Sequence, residues 1–343
     1  MIHQRLVRRR LRRVIAVPMV LLAAVAAAGA IHLPRAVASP AAPAATGQIY
    51  ATLFFSRSEM TASDKCVPNS THIARLDTAV APYLASLHMA ATGSLETGRT
   101  NATTPFCTHY NDSLGVSWAQ ATSLAKTYGW SFVSHTATYP MNMAALTPAQ
   151  SYAETCGSAK TIDAHRLPGG HGLIAYPGAQ PLPISLQTNY SAKCFAWGRK
   201  YVDTGVTDIS AGSTPPYWQI TKGINGGPCN VSTAACYKIV ASGGARYNLP
   251  APLVARVKAL KAGQWFTLQV YILVTGRSPA YTSNATRWDC TAADPRLHWT
   301  NDNERYCYND WKQIVAAIAA RPDIKVTDPL TVGIAFGRPA TYP

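Results

Sequence analysis

Two rhythms of hydrophobic and polar positions run along this chain, and the switches between them predict its elements. "QIYATLFF" (48–55) is rich in β-forming residues and predicts a first core strand. Leu76, Val80, Tyr83, Leu84 and Leu87 then recur at helical spacing, predicting a helix over 72–90. "SWAQATSLAKTYG" (117–129) predicts a second helix with Ser117 at its cap and Gly129 as its stop, and the strand "WSFVSH" follows. A third helix opens in "TPAQSYAETCGSAKTI" (147–162), where Thr147 and Gln150 have capping-box spacing and Pro148 takes the first helical position. Strands are predicted at "GLIAYP" (172–177) and "KCFAWGRKY" (193–201), before a loop-rich stretch over 203–250. "GQWFTLQVYILVTG" (263–276) reads as one long strand. "DWKQIVAAIAARPDIKVT" (310–327) reads as a helix with Trp311, Ile314, Val315 and Ile318 on one face, then a strand. Strands alternating with helices predict an α/β fold with largely parallel strands, either a barrel or a doubly wound sheet.

Charge and composition add an address. Arg8, Arg9, Arg10, Arg12 and Arg13 precede the apolar run "VIAVPMVLLAAVAAAGAI" and then Ala36-Val37-Ala38, the order of a secretory signal peptide over 1–38. The run is also about long enough to span a bilayer, so an uncleaved anchor is the alternative. The proline inside it and the small-residue exit favour cleavage. A Pro/Ala linker (39–47) leads into the domain (48–343), and no later stretch reads as a membrane span.

The 343-residue chain carries a formal charge of +15, and loss of the signal's seven arginines leaves 24 Lys+Arg against 16 Asp+Glu, or +8. That excess is dispersed, which argues against nucleic acid and suits anionic cell-wall polymers. A secreted, extracellular or cell-wall-associated protein is expected. Cys66, Cys107, Cys156, Cys194, Cys229, Cys236, Cys290 and Cys307 all follow the signal, an even number that predicts disulfides. Eight cysteines allow 105 pairings; bridges between sequence neighbours are the expectation, with 277–308 as a cysteine-tied insertion. No cysteine or histidine cluster has zinc-ligand spacing. Six N-x-S/T sites are acceptors only in a eukaryotic secretory route.

The order of the pieces is itself informative. A strand after the linker, "GWSFVSHT", "LTPAQSYAE" opening a helix, "IAYPGA" and "FAWGRKY" together resemble the polysaccharide deacetylase family, with its NodB homology domain, over roughly 48–202. The resemblance implies a distorted (β/α) barrel and metal-dependent removal of acetyl groups from N-acetylated sugars, that is, hydrolysis of a non-peptide carbon–nitrogen bond. Its motifs carry over unevenly. The family's first strand ends in Phe-Asp-Asp-Gly, whereas "LFFSRSE" keeps Phe55 and puts Ser56 and Arg57 in place of both acids. The family's His-Ser/Thr-x-x-His reads "HTATY" here: His135 and Thr136 match, and Tyr139 replaces the second metal histidine. The aromatic-Pro-Gly motif of the substrate groove survives in Tyr176, Pro177 and Gly178. In "WFTLQVYILV" Tyr271 matches the late catalytic histidine.

Amide hydrolysis of this kind needs a metal to activate water, a base, and an acid for the leaving amine. Such a zinc site takes three protein ligands and leaves one position open. His135 alone does not satisfy that, a phenol with a pKa of about 10 is a poor ligand, and Arg57 would repel the ion. Glu59, Asp64, His109 and Asp112 lie in loops from which replacements could come. A divalent metal, zinc first, is expected if the site is active, and none otherwise.

Each residue also has a plainer role: His135 as a hydrogen-bonded histidine at a strand end, Tyr176-Pro177 as a packed turn, and "LPGGHG" (167–172) as a flexible turn rather than an oxyanion loop. Tyr217 and Trp218 could stack on sugar rings or pack in a loop. Trp288, His298 and Trp299 belong to the stapled insertion. G-x-S-x-G, HExxH, a P-loop and a dinucleotide fingerprint are absent. Three readings follow: a glycan deacetylase with a rearranged site, a catalytically inactive saccharide-binding protein, or a structural extracellular protein.

Overall fold

β1 (Ile49–Phe55) is the axis of the fold, buried along its whole length in the computed structural model. The structure describes residues 47–55, 74–100, 116–177, 190–199, 205–208, 250–270, 272–276, 290–292, 305–338 and 340–342. The signal segment, the linker up to residue 46, Ser56, Arg57, Tyr217, Trp218, Tyr271 and most of the insertion lie outside the described residues.

A π-helical turn (Leu76–Val80) runs into α1 (Ala81–Ser86), burying Leu76, Val80 and Leu84 as their spacing predicts. β2 (Thr92–Leu95) follows, then α2 (Trp118–Tyr128), with a full capping box between Ser117 and Gln120. Gly129 ends α2 at φ 70°, a left-handed conformation that glycine adopts without a Cβ penalty. β3 (Ser131–Ser134) leads to α3 (Pro148–Tyr152), which widens into a π-helical turn (Ala153–Gly157) before α4 (Ser158–Ala164). β4 (Leu173–Ala175), a helical turn (Ala192–Cys194), β5 (Trp197–Arg199) and β6 (Gly205–Asp208) come next. The chain then forms α5 (Pro250–Lys258), β7 (Gln264–Val270), β8 (Ile272–Val274), β9 (Arg305–Cys307), α6 (Tyr308–Ala319), β10 (Ile324–Val326) and α7 (Pro329–Ala335).

The main sheet runs β5-β4-β3-β2-β1-β7-β6, with β10 sharing the β2 side of β1. Every pairing in it is parallel except β6 with β7. Parallel strands need both faces covered, and the period-2 alternation of β1 supplies this. Ile49, Ala51, Leu53 and Phe55 face a core with Leu84, Leu124, Trp311, Ile314 and Val315 from the helices. Tyr50 and Phe54 face the other layer, with Val133, Leu173, Trp197, Trp265 and Val332 of α7. Trp197 and Trp265 meet at 5.3 Å between centroids. Each large aliphatic side chain buried this way contributes roughly 1.5–3 kcal/mol.

Several expectations need correction. The sheet is open among the described residues, with β5 and β6 at its edges, rather than a closed barrel. The long strand predicted over 263–276 is two: β7 belongs to the main sheet and β8 pairs with β9 in a separate two-stranded sheet. Thr92-Gly93-Ser94-Leu95 forms a central strand despite weak β propensity, because both of its neighbours supply ladders. α5, β6 and α7 were not predicted. Among the described residues, two bridges join cysteines that neighbour in sequence, Cys156–Cys194 and Cys290–Cys307.

Candidate functional site

Parallel strands bring their C-terminal ends to one edge, and the residues following β2, β3 and β4 meet there. His135, the first residue beyond β3, is 3% exposed. Its backbone N–H donates to the Leu95 carbonyl at the end of β2 (2.8 Å). Its Nδ1 lies 2.8 Å from the Ala175 carbonyl at the end of β4. A carbonyl can only accept, so Nδ1 carries the proton, and in the neutral ring the lone pair is on Nε2.

The chain then turns sharply. Thr136 has φ 68° and Tyr139 φ 59°. A β-branched residue in the left-handed region is a true outlier, the kind of strain that collects at functional sites. Local hydrogen bonds hold the turn: Thr136 N–H donates to Ser134 Oγ (3.0 Å), and Tyr139 N–H donates to Thr136 Oγ1 (3.1 Å). The Tyr139 ring thereby meets the His135 ring at 4.9 Å in a T-shaped contact. The Arg99 guanidinium, paired with Glu96 at 3.0 Å, lies 5.9 Å from the Tyr139 ring centroid.

Two supports lie beneath. Thr97 Oγ1 (3.2 Å) and Ser134 Oγ (2.8 Å) both donate to Ser158 Oγ of α4, tying the β2 and β3 ends to one helix. Glu154, 8% exposed, accepts the N–H groups of Ala137 and Thr138 on Oε2, both at 2.8 Å, and the Thr138 hydroxyl on Oε1 at 2.6 Å. Gly98 N–H donates to the Ala137 carbonyl (2.7 Å), so close an approach that a Cβ on residue 98 would sit 2.8 Å from that oxygen.

Tyr176 and Pro177 follow β4 at the same edge, and both are buried. Alternation along β4 turns Tyr176 away from the layer of Leu173 and Ala175, into a cluster with Met143, Cys156, Ala159 and Phe195. Its hydroxyl donates to Ser191 Oγ (2.5 Å), and burial pushes its pKa well up, outweighing that hydrogen bond. The structure therefore brings His135 and Tyr139 together as the motif places them, with Tyr176 packed on the other face. Of the remaining sequence-derived positions, Ser56, Arg57, Glu59, Asp64, His109, Asp112, Trp218 and Tyr271 lie outside the described residues.

Glu154, Thr97, Ser158 and Gly98 were not singled out by sequence. Glu154 did carry a signal: an acid on the helical stripe of Ser151, Ser158 and Ile162, all buried. A buried carboxylate on such a stripe needs donors.

A divalent metal does not fit the described donors. No group of three His, Cys, Asp or Glu side chains converges among the described residues; the strand-end edge brings the His135 imidazole, the Tyr139 phenol and the Glu96 carboxylate, the last paired with Arg99. Hydrolytic zinc takes three protein ligands.

No protein-family model matches the chain, and no curated protein does. Two solved structures are similar over part of it. A Streptococcus pyogenes deacetylase, PplD, in complex with acetate is 18% identical over 47% of this chain, with a TM-score of 0.35. BC0361, a polysaccharide deacetylase from Bacillus cereus, is 15% identical over 42%, with a TM-score of 0.30. The chain spans 59% of the first protein and 37% of the second.

Proposed function

We propose that this chain is an exported, polysaccharide deacetylase-like protein whose strand-end site binds N-acetylated cell-wall or extracellular glycans. The observation carrying the proposal is the His135–Tyr139 turn. It holds an imidazole and a phenol against each other at the edge where parallel α/β sheets bind ligands. Imidazole and phenol together offer donors, acceptors and an aromatic face, which suit acetamido and hydroxyl groups. Binding without metal hydrolysis is the form this donor set favours. Export accords with the paired cysteines, and no helix among the described residues is long and apolar enough to cross a membrane.

A second reading, a deacetylase with a rearranged metal site, is favoured by one feature. Nδ1 of His135 on a backbone carbonyl is the orientation typical of metal-ligating histidines. The test that separates the two is metal content of the oxidised chain lacking residues 1–38, before and after incubation with excess zinc. A His135→Ala variant runs beside it, followed by an acetate-release assay on an N-acetylglucosamine tetramer. The binding reading expects no stoichiometric metal and no acetate. One equivalent of metal lost in His135→Ala, with acetate released, would replace it with the hydrolase.

A further inference from the structure

The backbone that holds His135 and Tyr139 together is fastened by more than its local hydrogen bonds. Two of its residues are left-handed without being glycine, and two successive N–H groups, of Ala137 and Thr138, point into the protein rather than into a ladder. Both are taken by one carboxylate oxygen of Glu154, whose second oxygen takes the Thr138 hydroxyl. Charge-assisted hydrogen bonds are about twice as strong as neutral ones, so three on one buried carboxylate can hold a turn that its own torsions oppose.

The placement of Glu154 is itself specialised. It lies in the π-helical turn Ala153–Gly157, between α3 and α4, where Glu154, Thr155 and Cys156 are all buried. Single-turn π segments inside helices occur frequently at functional sites. The same turn is fastened two residues on by the Cys156–Cys194 bridge. The helix is thereby fixed at the level where its carboxylate must reach the turn after β3.

We infer that Glu154 is the positioning residue of the strand-end site. Its carboxylate clamps the backbone at 137 and 138, and through it sets the Tyr139 ring against His135. The inference rests on the glycan-binding reading for its functional meaning, but not for its geometry.

Substitutions separate clamping from simple bulk. Gln keeps the length: its carbonyl oxygen can accept both N–H groups and its amide can donate to the Thr138 hydroxyl. Ala removes every acceptor and leaves two inward N–H groups unpaired, and Asp is one methylene short. Two readouts are taken on the oxidised chain lacking residues 1–38. The first, without ligand, is the NOE between the His135 and Tyr139 rings in selectively labelled protein. The second is the dissociation constant for an N-acetylglucosamine tetramer. Val332→Ala in α7, a core change that removes none of the Glu154 hydrogen bonds, serves as a control for lost stability alone.

The expected result is loss of the ring contact in Glu154→Ala and Glu154→Asp, with affinity weakened about tenfold. Glu154→Gln should retain the contact and stay within about threefold of the parent. Val332→Ala should melt earlier with both readouts unchanged. If Glu154→Ala does not fold, Thr138→Ala removes one of the three hydrogen bonds and should weaken the contact partially. An intact ring contact in Glu154→Ala, or an equal loss in Val332→Ala, overturns the inference. A parent chain that does not bind the tetramer overturns the glycan reading instead, while the ring contact still decides the role of Glu154.

Discussion

Two histidines in this molecule make the same hydrogen bond to a backbone carbonyl in two different settings. His135 follows β3 and His171 precedes β4, at opposite ends of neighbouring strands. Each places Nδ1 on a backbone carbonyl, Ala175 at 2.8 Å and Cys194 at 2.6 Å. His171 then sets Nε2 on the Asp163 carboxylate at 2.7 Å and stacks on Tyr342 at 5.5 Å. Both of its nitrogens face acceptors, so the geometry calls for the doubly protonated ring. Burial works against that charge, but the hydrogen bonds to Asp163 and to the Cys194 carbonyl outweigh it, and the His171 pKa lies above its ordinary value. Both rings also meet a tyrosine, His135 edge-on at Tyr139 and His171 stacked on Tyr342. The Asp163 carboxylate makes His171 a charged staple at one end of the sheet, while His135 is held at the other end beside a strained turn.

The widest break in this comparison is at the disulfide both regions share. Cys194 gives its carbonyl to His171, and Cys156 shares the π turn with Glu154. Replacing both cysteines by alanine removes a cross-link spanning 38 residues, and the chain-entropy estimate is a loss of about 4 kcal/mol. Denaturant unfolding against the parent measures it, and both histidine environments should loosen together.

Gly98→Ala breaks one side alone. Its Cβ would meet the Ala137 carbonyl at 2.8 Å, so the β2 and β3 turns must separate. The expected cost is about 1–3 kcal/mol, seen as a lower melting temperature with weakened glycan binding and an undisturbed His171.

His171→Gln breaks the other side, with a smaller effect of about 1 kcal/mol because Asp163 is half exposed. Its signature lies in pH. A histidine whose folded pKa is raised stabilises fully below its unfolded value of about 6.5, and that contribution is lost as pH rises through the folded value. The parent should therefore lose stability as pH rises above about 6.5 and through the raised folded value, and His171→Gln should flatten that slope. A slope unchanged in the variant would assign it to other groups.

What could be read from the sequence follows the same divide. β1, α2 with its Ser117 and Gly129 boundaries, the Thr147 cap and the buried face of α6 follow from local periodicity and capping chemistry. So does the presence of His135 and Tyr139 at a strand end. β2 could not be read this way, because Thr92-Gly93-Ser94-Leu95 owes its strand to its neighbours. The break between β7 and β8 was hidden inside one continuous apolar run. Glu154 clamps a turn 16 and 17 residues away in sequence, a relation set by packing alone. The "LPGGHG" stretch read as a flexible turn, yet His171 within it is fixed on both nitrogens by partners 8 and 23 residues distant.

In the proposed function the His135–Tyr139 edge binds an N-acetylated glycan without needing a metal. Titration calorimetry of an N-acetylglucosamine tetramer into the oxidised chain lacking residues 1–38, in excess chelator, tests it most directly, with His135→Ala and Tyr139→Ala alongside. Saturable binding of one tetramer per chain should survive the chelator and be lost in both variants. Absence of binding, or binding that both variants keep, would contradict that function.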